Sequence, residues 1–213
     1  MVAENDAAAI PHLMVGFNRR FSHPFVKMKE VMEGRREPLA IIYRVNAGFV
    51  AKDHWSQDAA QGGRIIGEAC HFVDTMRFLA GSRVVSVQAN SIRSENERVE
   101  NRDTSSITIT FEDGSLGTLL YLSNGASTLP KEYCEIYWEG KVAVMDDFRS
   151  LTVYSVNKTS RMKFDGSKGH YEEVHNFMES MRKGSPPPIP IQELEEVTKT
   201  TILVDELLRG RPK

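Results

Sequence analysis

Six apolar runs of strand length follow one another between residues 84 and 156, and they constrain this chain more than any other feature. They read VVSVQANS (84–91), TSSITITFE (104–112), SLGTLLYLS (115–123), EYCEIYWE (132–139), KVAVMDD (141–147) and SLTVYSV (150–156). Asp113-Gly114 and Glu139-Gly140 fall between runs as two-residue turns, a strong hairpin signal, so much of the resulting sheet is antiparallel. Ile107, Ile109 and Phe111 alternate with Ser106, Thr108 and Thr110, which gives that strand one apolar face. The next run, with Leu116, Leu119, Leu120, Tyr121 and Leu122, is apolar on both faces.

The flanks supply helices. LAIIYRVNAG (39–48) reads as one further strand, FVAKDHWSQDAAQ as a polar loop, and residues 63–79 as a helix. Two more helices at 171–184 and 191–210 each stop at a glycine, with the stiff connector SPPPIP between them. The predicted fold class is α+β: an open, mainly antiparallel sheet with helices on one face. Such a sheet exposes its other face. Leu120, Leu122, Ile136 and Trp138 are poorly suited to water, which predicts self-association through the sheet as a dimer or tetramer.

The start of the chain follows a different grammar. MVAENDAAAI reads as frayed or as beginning mid-element, HLMVGFN as a buried strand, and SHPFVKMKEVMEG as a helix. Ser22 is the expected cap of that helix, Pro24 sits in its first turn, and Gly34 stops it. A parallel sheet needs several strand–helix units to cover both faces, and only one is present. The opening therefore resembles the tail of a domain whose body lies elsewhere.

Bulk properties exclude several classes. A net charge of -2 gives no electrostatic case for nucleic acid or for an anionic membrane. No window approaches the ~20 apolar residues that span a bilayer. Two cysteines, Cys70 and Cys134, fit buried thiols in a reducing compartment, and the expected location is cytoplasmic. His71 and Asp74 stand three apart, but no further ligands cluster with them, so no metal site is expected. VGFNRR carries one glycine, too few for a dinucleotide loop.

The helix GGRIIGEACHFVDTMRFLAG (62–81) carries the chemistry. At ~100° per residue, Ile65, Ala69, Phe72, Val73, Met76 and Leu79 fill one broad arc. Arg64, Glu68, His71 and Thr75 form a narrow polar stripe opposite, close enough in spacing to touch. Gly62 and Gly63 permit close backbone approach, and a loop with Lys52, Asp53, His54 and Trp55 precedes them. A histidine with a carboxylate one turn back is a usual acid/base arrangement. Spacing alone explains the stripe equally well as a solvated helix face.

Five segments in order, VGFNRRFSHPFVKMKEVMEG, VNAGFVAKDHW, GGRIIGEACHFVDTMRFLAG, FEDGSLGTLLY and DDFRSL, resemble the glucose–fructose oxidoreductase and inositol dehydrogenase (Gfo/Idh/MocA) family. The likeness is closest to its branch of two-domain, often fused, dehydrogenases. It implies a Rossmann domain binding NAD or NADP, followed by an α/β domain whose large open sheet shapes the substrate site and the oligomer. Residues 1–36 would then be the last strand–helix unit of the Rossmann domain, and 37–213 the substrate-binding and oligomerisation domain. The family's glycine-rich loop and its Glu-Lys-Pro segment have no counterpart. The resemblance therefore implies a cofactor in the full-length protein, none bound by this chain, and no activity for it alone, as in a shortened or partial gene product.

By the same resemblance His71 is the acid/base beside the reacting carbon of a sugar-like, polyhydroxylated substrate. Asp74 matches the acid three residues later, with a role in substrate binding or in orienting the helix. Many members carry an aspartate four residues before the histidine; here Gly67 stands there, and Glu68 beside it is the expected partner of His71. Lys52, His54, Trp55, Arg64 and Arg20 fall in regions facing the substrate, although Trp55 also suits a loop plug and Arg20 a pairing across the domain junction. The alternative to an enzyme is a non-catalytic assembly or ligand-binding module with the same fold.

Overall fold

All six runs become strands in the computed structural model, which describes residues 12–58 and 62–210. The reading of residues 1–11 and the end of the polar loop at 59–61 lie outside it. One sheet has the order β2-β3-β4-β1-β5-β6-β7-β8. Its strands are β1 (Ala40–Asn46), β2 (Val84–Ser91), β3 (Thr104–Phe111), β4 (Leu116–Leu122), β5 (Glu132–Trp138), β6 (Lys141–Asp146), β7 (Ser150–Ser155) and β8 (Lys158–Lys163). β1 lies between β4 and β5, parallel to the first and antiparallel to the second. The other neighbours are antiparallel. The fold is α+β, as the strand pattern predicts. At the β5–β6 hairpin Glu139 and Gly140 both take positive φ, 43° and 71°, the backbone that matches the twist of paired strands.

The described residues form four helices, α1 (His23–Val31), α2 (Cys70–Ala80), α3 (His170–Lys183) and α4 (Ile191–Leu208); α1, α2 and α4 pack against the sheet, and α3 packs on the Asn18–Phe21 turn. Pro24 occupies the first turn of α1 as expected, but Ser22 caps nothing with its side chain; its hydroxyl donates to the Arg19 carbonyl at 2.8 Å. Ile41, Tyr43, Val45, Ile107, Ile109, Phe111, Leu119 and Tyr121 point from the sheet into the core against Phe25, Met28, Phe72, Met76 and Leu79. Each such side chain contributes about 1.5–3 kcal/mol by leaving water.

Four sequence expectations change. Residues 12–17 pair with no strand of the sheet; the Phe17 amide instead donates to the Val15 carbonyl at 2.6 Å, and Leu13 and Met14 are exposed. Both sheet edges, β2 and β8, lie elsewhere, so the apolar run has no strand beside it. Ile136 and Trp138 face the helices and are buried, whereas Leu120 and Leu122 lie on the open face, because the two pairs sit at opposite parity in β4 and β5. β8, KTSRMK, is an additional strand with no apolar alternation; it is held by backbone pairing to β7, and its lysines suit an edge. Finally, the polar stripe on α2 is no solvated face. Arg64 and Thr75 are buried, the latter donating to the His71 carbonyl at 2.8 Å.

The register places the site. Val45 of β1 sits opposite Tyr121 of β4 and Glu132 of β5, so these three form one row at the end of the parallel β1–β4 pair.

Candidate functional site

A chain of aromatic rings runs through the core to that row. Phe148, Phe25, Tyr43, Phe72 and Tyr121 follow one another at centroid distances of 5.6, 5.8, 5.3 and 6.1 Å. Two members end in phenols, and a buried phenol needs a partner. The Tyr121 hydroxyl donates to Glu68 at 2.5 Å, and the Tyr43 hydroxyl to Glu132 at 2.7 Å. Two carboxylates are thus fixed from beneath by the sheet.

Glu68 belongs to a wider, π-type turn, Ile65–Ala69, that leads into α2. Such turns recur at functional sites because they re-aim side chains. Gly62 and Gly63 introduce it at φ 80° and 66°, and a Cβ on Gly62 would lie 2.7 Å from Ile66. Arg64 at 2.8 Å and Lys131 at 2.5 Å complete the shell of Glu68. Burial alone would raise this carboxyl, but hydrogen bonds from Lys131 and Tyr121 and the charges of Lys131 and Arg64 outweigh it and hold the pKa at about 2. Arg64 also donates to the carbonyls of Gly48 and Ala47 at 2.8 and 3.0 Å, which ties the 47–57 loop to the turn.

His71 lies one turn on, its ring edge-on to Phe17 at 5.9 Å. Its Nδ1 is buried and has no hydrogen-bond partner among the described residues. Burial first, then the charge of Arg19, lowers its pKa to about 4 against the opposing pull of Glu68 and Glu132. The imidazole is therefore neutral at physiological pH and able to accept a proton. The structure does not hydrogen-bond it to Glu68, whose two oxygens are held by Lys131, Tyr121 and Arg64.

Glu132 is the second anchor, fully buried at the first inward position of β5. Arg19 grips it with two bonds of 3.0 Å, and Lys168 adds a third at 3.0 Å. Burial would raise this carboxyl; Arg19, Lys168 and Tyr43 keep it below the usual carboxylate range. Arg19 also stacks over Phe72 at 4.5 Å. Its carrier, the single turn Asn18–Phe21, is held in place by Asn18 Nδ2, which donates to the Lys168 carbonyl at 2.8 Å. Gly169 makes that approach possible: φ is +86°, and a Cβ there would meet the Asn18 carbonyl oxygen and the Ser22 amide nitrogen at 2.5 Å. Behind Glu132, Asp147 and Phe148 take strained positive φ of 43° and 59°, which buries Phe148 and returns the Asp147 amide to the Glu132 carbonyl at 2.9 Å.

The other expected residues are placed apart from this cluster. Arg20 pairs with Asp74 through two bonds, 3.0 and 2.5 Å, and reaches Glu193 of α4 at 2.8 Å. Asp74 is 0% exposed, and burial pushes its carboxyl up to about 6 despite Arg20. This pair ties α2 to the Asn18–Phe21 turn and α4. Lys52, His54 and Trp55 are exposed on the loop; His54 bonds Ser56 and lies 5.5 Å from Trp55 with the rings tilted at 40°, and no hydrogen bond or ion pair among the described residues links the three to His71. Sequence reasoning missed Arg19, Tyr43, Tyr121, Lys131, Glu132 and Lys168. Only Glu132 carried a signal: it precedes Cys134, Ile136 and Trp138 on the inward parity of its strand, where a charge needs a buried partner.

The arrangement is a neutral imidazole with an unpartnered ring nitrogen, near enough to Arg19 and to the two locked carboxylates to feel their charges. Within this cluster His71 is the imidazole held uncharged at neutral pH with a ring nitrogen left open to a partner. Residues 34–144 match the model of the GFO/IDH/MocA C-terminal domain. The chain is 24% identical over 191 residues to the myo-inositol 2-dehydrogenase of Thermotoga maritima, spanning 83% of this chain and 56% of that protein. It superposes on UDP-N-acetylglucosamine 3-dehydrogenase GnnA from Acidithiobacillus ferrooxidans with a TM-score of 0.75 at 17% identity, over 93% of this chain and 62% of that one. An oxidoreductase from Agrobacterium radiobacter in complex with NAD+, L-tartaric acid and magnesium gives 0.74 at 17% identity, over 93% and 64%. The chain thus spans less than two thirds of the length of these proteins, and the superpositions show a shared fold. With more than half its residues matched by the domain model, the chain belongs to the GFO/IDH/MocA family through its C-terminal domain.

Proposed function

We propose that this chain is the substrate-binding and oligomerisation domain of an NAD(P)-dependent oxidoreductase acting on a sugar-like, polyhydroxylated compound, with His71 as the acid/base. The observation that carries the reading is His71 itself: a half-buried, neutral imidazole with a buried, unpartnered Nδ1, near enough to Arg19, Glu68 and Glu132 to feel their charges. His71 takes the proton of a substrate hydroxyl, and Arg19 and the two locked carboxylates hold the ring's surroundings fixed while it does so. A nicotinamide, when bound, supplies the redox chemistry. We assign the cofactor's pyrophosphate to the glycine-rich strand–turn–helix of a nucleotide-binding domain, a motif not found among the described residues.

Two surfaces support that division. Leu13, Met14, Tyr171, Val174 and Met178 are exposed apolar side chains on residues 12–17 and α3, which suits a docking face for such a domain. Residues 12–36 then form the junction. On the open side of the sheet, Ile42, Leu116, Tyr137 and Tyr154 are exposed beside Leu120 and Leu122, which suits a second subunit. The free thiols of Cys70 and Cys134 suit a reducing, cytoplasmic setting, and among the described residues no helix is long and apolar enough to cross a membrane.

Calorimetry and a nicotinamide assay test the reading together. The 213-residue chain is expected to show no heat of binding with NAD or NADP, and the chain joined to its nucleotide-binding domain to reduce the nicotinamide in the presence of a polyol. Tight cofactor binding by this chain alone, or a joined protein that turns over no polyol, contradicts it.

A further inference from the structure

We infer that the His71 site selects a sugar bearing an anionic substituent, a carboxylate or a phosphate, which Lys131 and Lys168 hold. The inference rests on the reading of this region as the substrate site and adds the substrate's charge.

The argument starts from charge. Arg19, Arg64, Lys131 and Lys168 are cations, and their partners in the cluster are Glu68, Glu132 and Asp103. Among these paired side chains the cations outnumber the carboxylates by four to three. Asp103 is buried, held by Gln57 at 2.5 Å and 3.5 Å from Arg64.

Donor capacity points the same way. The guanidinium of Arg19 is buried, as is that of Arg64, and both are engaged with carboxylates or backbone carbonyls. Each lysine, by contrast, makes one bond to a locked carboxylate, at 2.5 Å for Lys131 and 3.0 Å for Lys168, and an ammonium has three donors. Their side chains are 36% and 32% exposed, so the remaining donors are open to solvent or to a ligand. Glu68 and Glu132 thus fix two ammonium groups without using them up. The two come from different segments, one just before β5 and one just before α3, and both carboxylates they rest on act electrostatically on His71 and on Arg19. A neutral polyol leaves the surplus charge and the spare donors unmatched. An anionic sugar matches both.

The test uses the 213-residue chain and three probes, glucuronate, glucose 6-phosphate and glucose, followed by calorimetry and by the His71 ring resonances. At least one charged sugar is expected to bind about tenfold tighter than glucose, the worth of one charge-assisted hydrogen bond, with affinity falling as salt is added. A response to glucuronate only assigns a carboxylate, and to glucose 6-phosphate only a phosphate. Lys131→Gln and Lys168→Gln should each weaken the charged sugar about tenfold, and the Arg replacements should restore most of it. Glucose binding as tightly as both charged sugars, or a charge preference that survives both Gln variants, overturns the anion assignment and leaves the domain reading standing. If no sugar binds or perturbs His71, both fail.

Discussion

At the scale of single residues, His71 owes its chemistry to what surrounds it. An exposed histidine titrates near 6.5; burial and the nearby Arg19 bring this one to about 4. The sign of the stability effect follows. Between about 4 and 6.5 the unfolded chain binds a proton that the folded chain refuses, so stability is lost as pH falls through that window. Comparing wild type with His71→Gln isolates this contribution from the other buried acids. The wild type should lose stability relative to the variant from pH 6.5 down to about 4 in urea titrations, and a flat or opposite difference would show that the imidazole is not desolvated. His71 and Arg64 were legible in the helical spacing. The charge lattice around them was not, because Tyr43, Tyr121, Lys131, Glu132 and Lys168 come from strands and loops that only the sheet order brings together. Glu68 illustrates the limit. Spacing put it near His71, yet the π-type turn and three cationic or phenolic donors make it a fixed anion in place of a proton partner.

At the scale of elements, alternation and turn chemistry carried most of the reading, since seven of the eight strands coincide with an apolar run of the sequence. β8 escaped because an edge strand held by backbone pairing needs no apolar face. Residues 12–17 misled for the converse reason: an apolar run is a strand only where another strand is beside it. Gly169 shows how one residue joins two elements, packing the start of α3 onto the Asn18–Phe21 turn that carries Arg19. Gly169→Ala must adopt φ +86° and push against backbone atoms at 2.5 Å. A loss of about 1–3 kcal/mol is expected from the strained backbone alone, with the close contact adding to it. Lys168 and Arg19 should be displaced with it, so anionic ligands should weaken as well. Unchanged chemical denaturation would mean the two elements are not held as described.

At the scale of the whole molecule, the sheet has two unlike faces, the inner one carrying the His71 cluster and the open one mixing threonines and charges with exposed Ile42, Leu116 and Tyr137. The sequence pattern showed that one face is open but sorted its residues incorrectly, because the parity of β5 relative to β4 depends on which strands are neighbours. A pair of substitutions separates the faces. Leu120→Lys, on the open face, should dissociate an oligomer into folded monomers by light scattering, while Trp138→Lys, 4% exposed among the core residues, should unfold the domain. A Leu120→Lys protein that keeps its assembly state would remove the sheet from the interface. The central claim, that this domain brings the proton-transferring group to the substrate, is tested most directly by turnover of the joined, two-domain enzyme carrying His71→Ala. The account predicts a kcat lower by about 10²–10⁴-fold with the fold retained, the usual worth of a positioned acid/base. Turnover that stays at the wild-type level in a folded His71→Ala enzyme would contradict it.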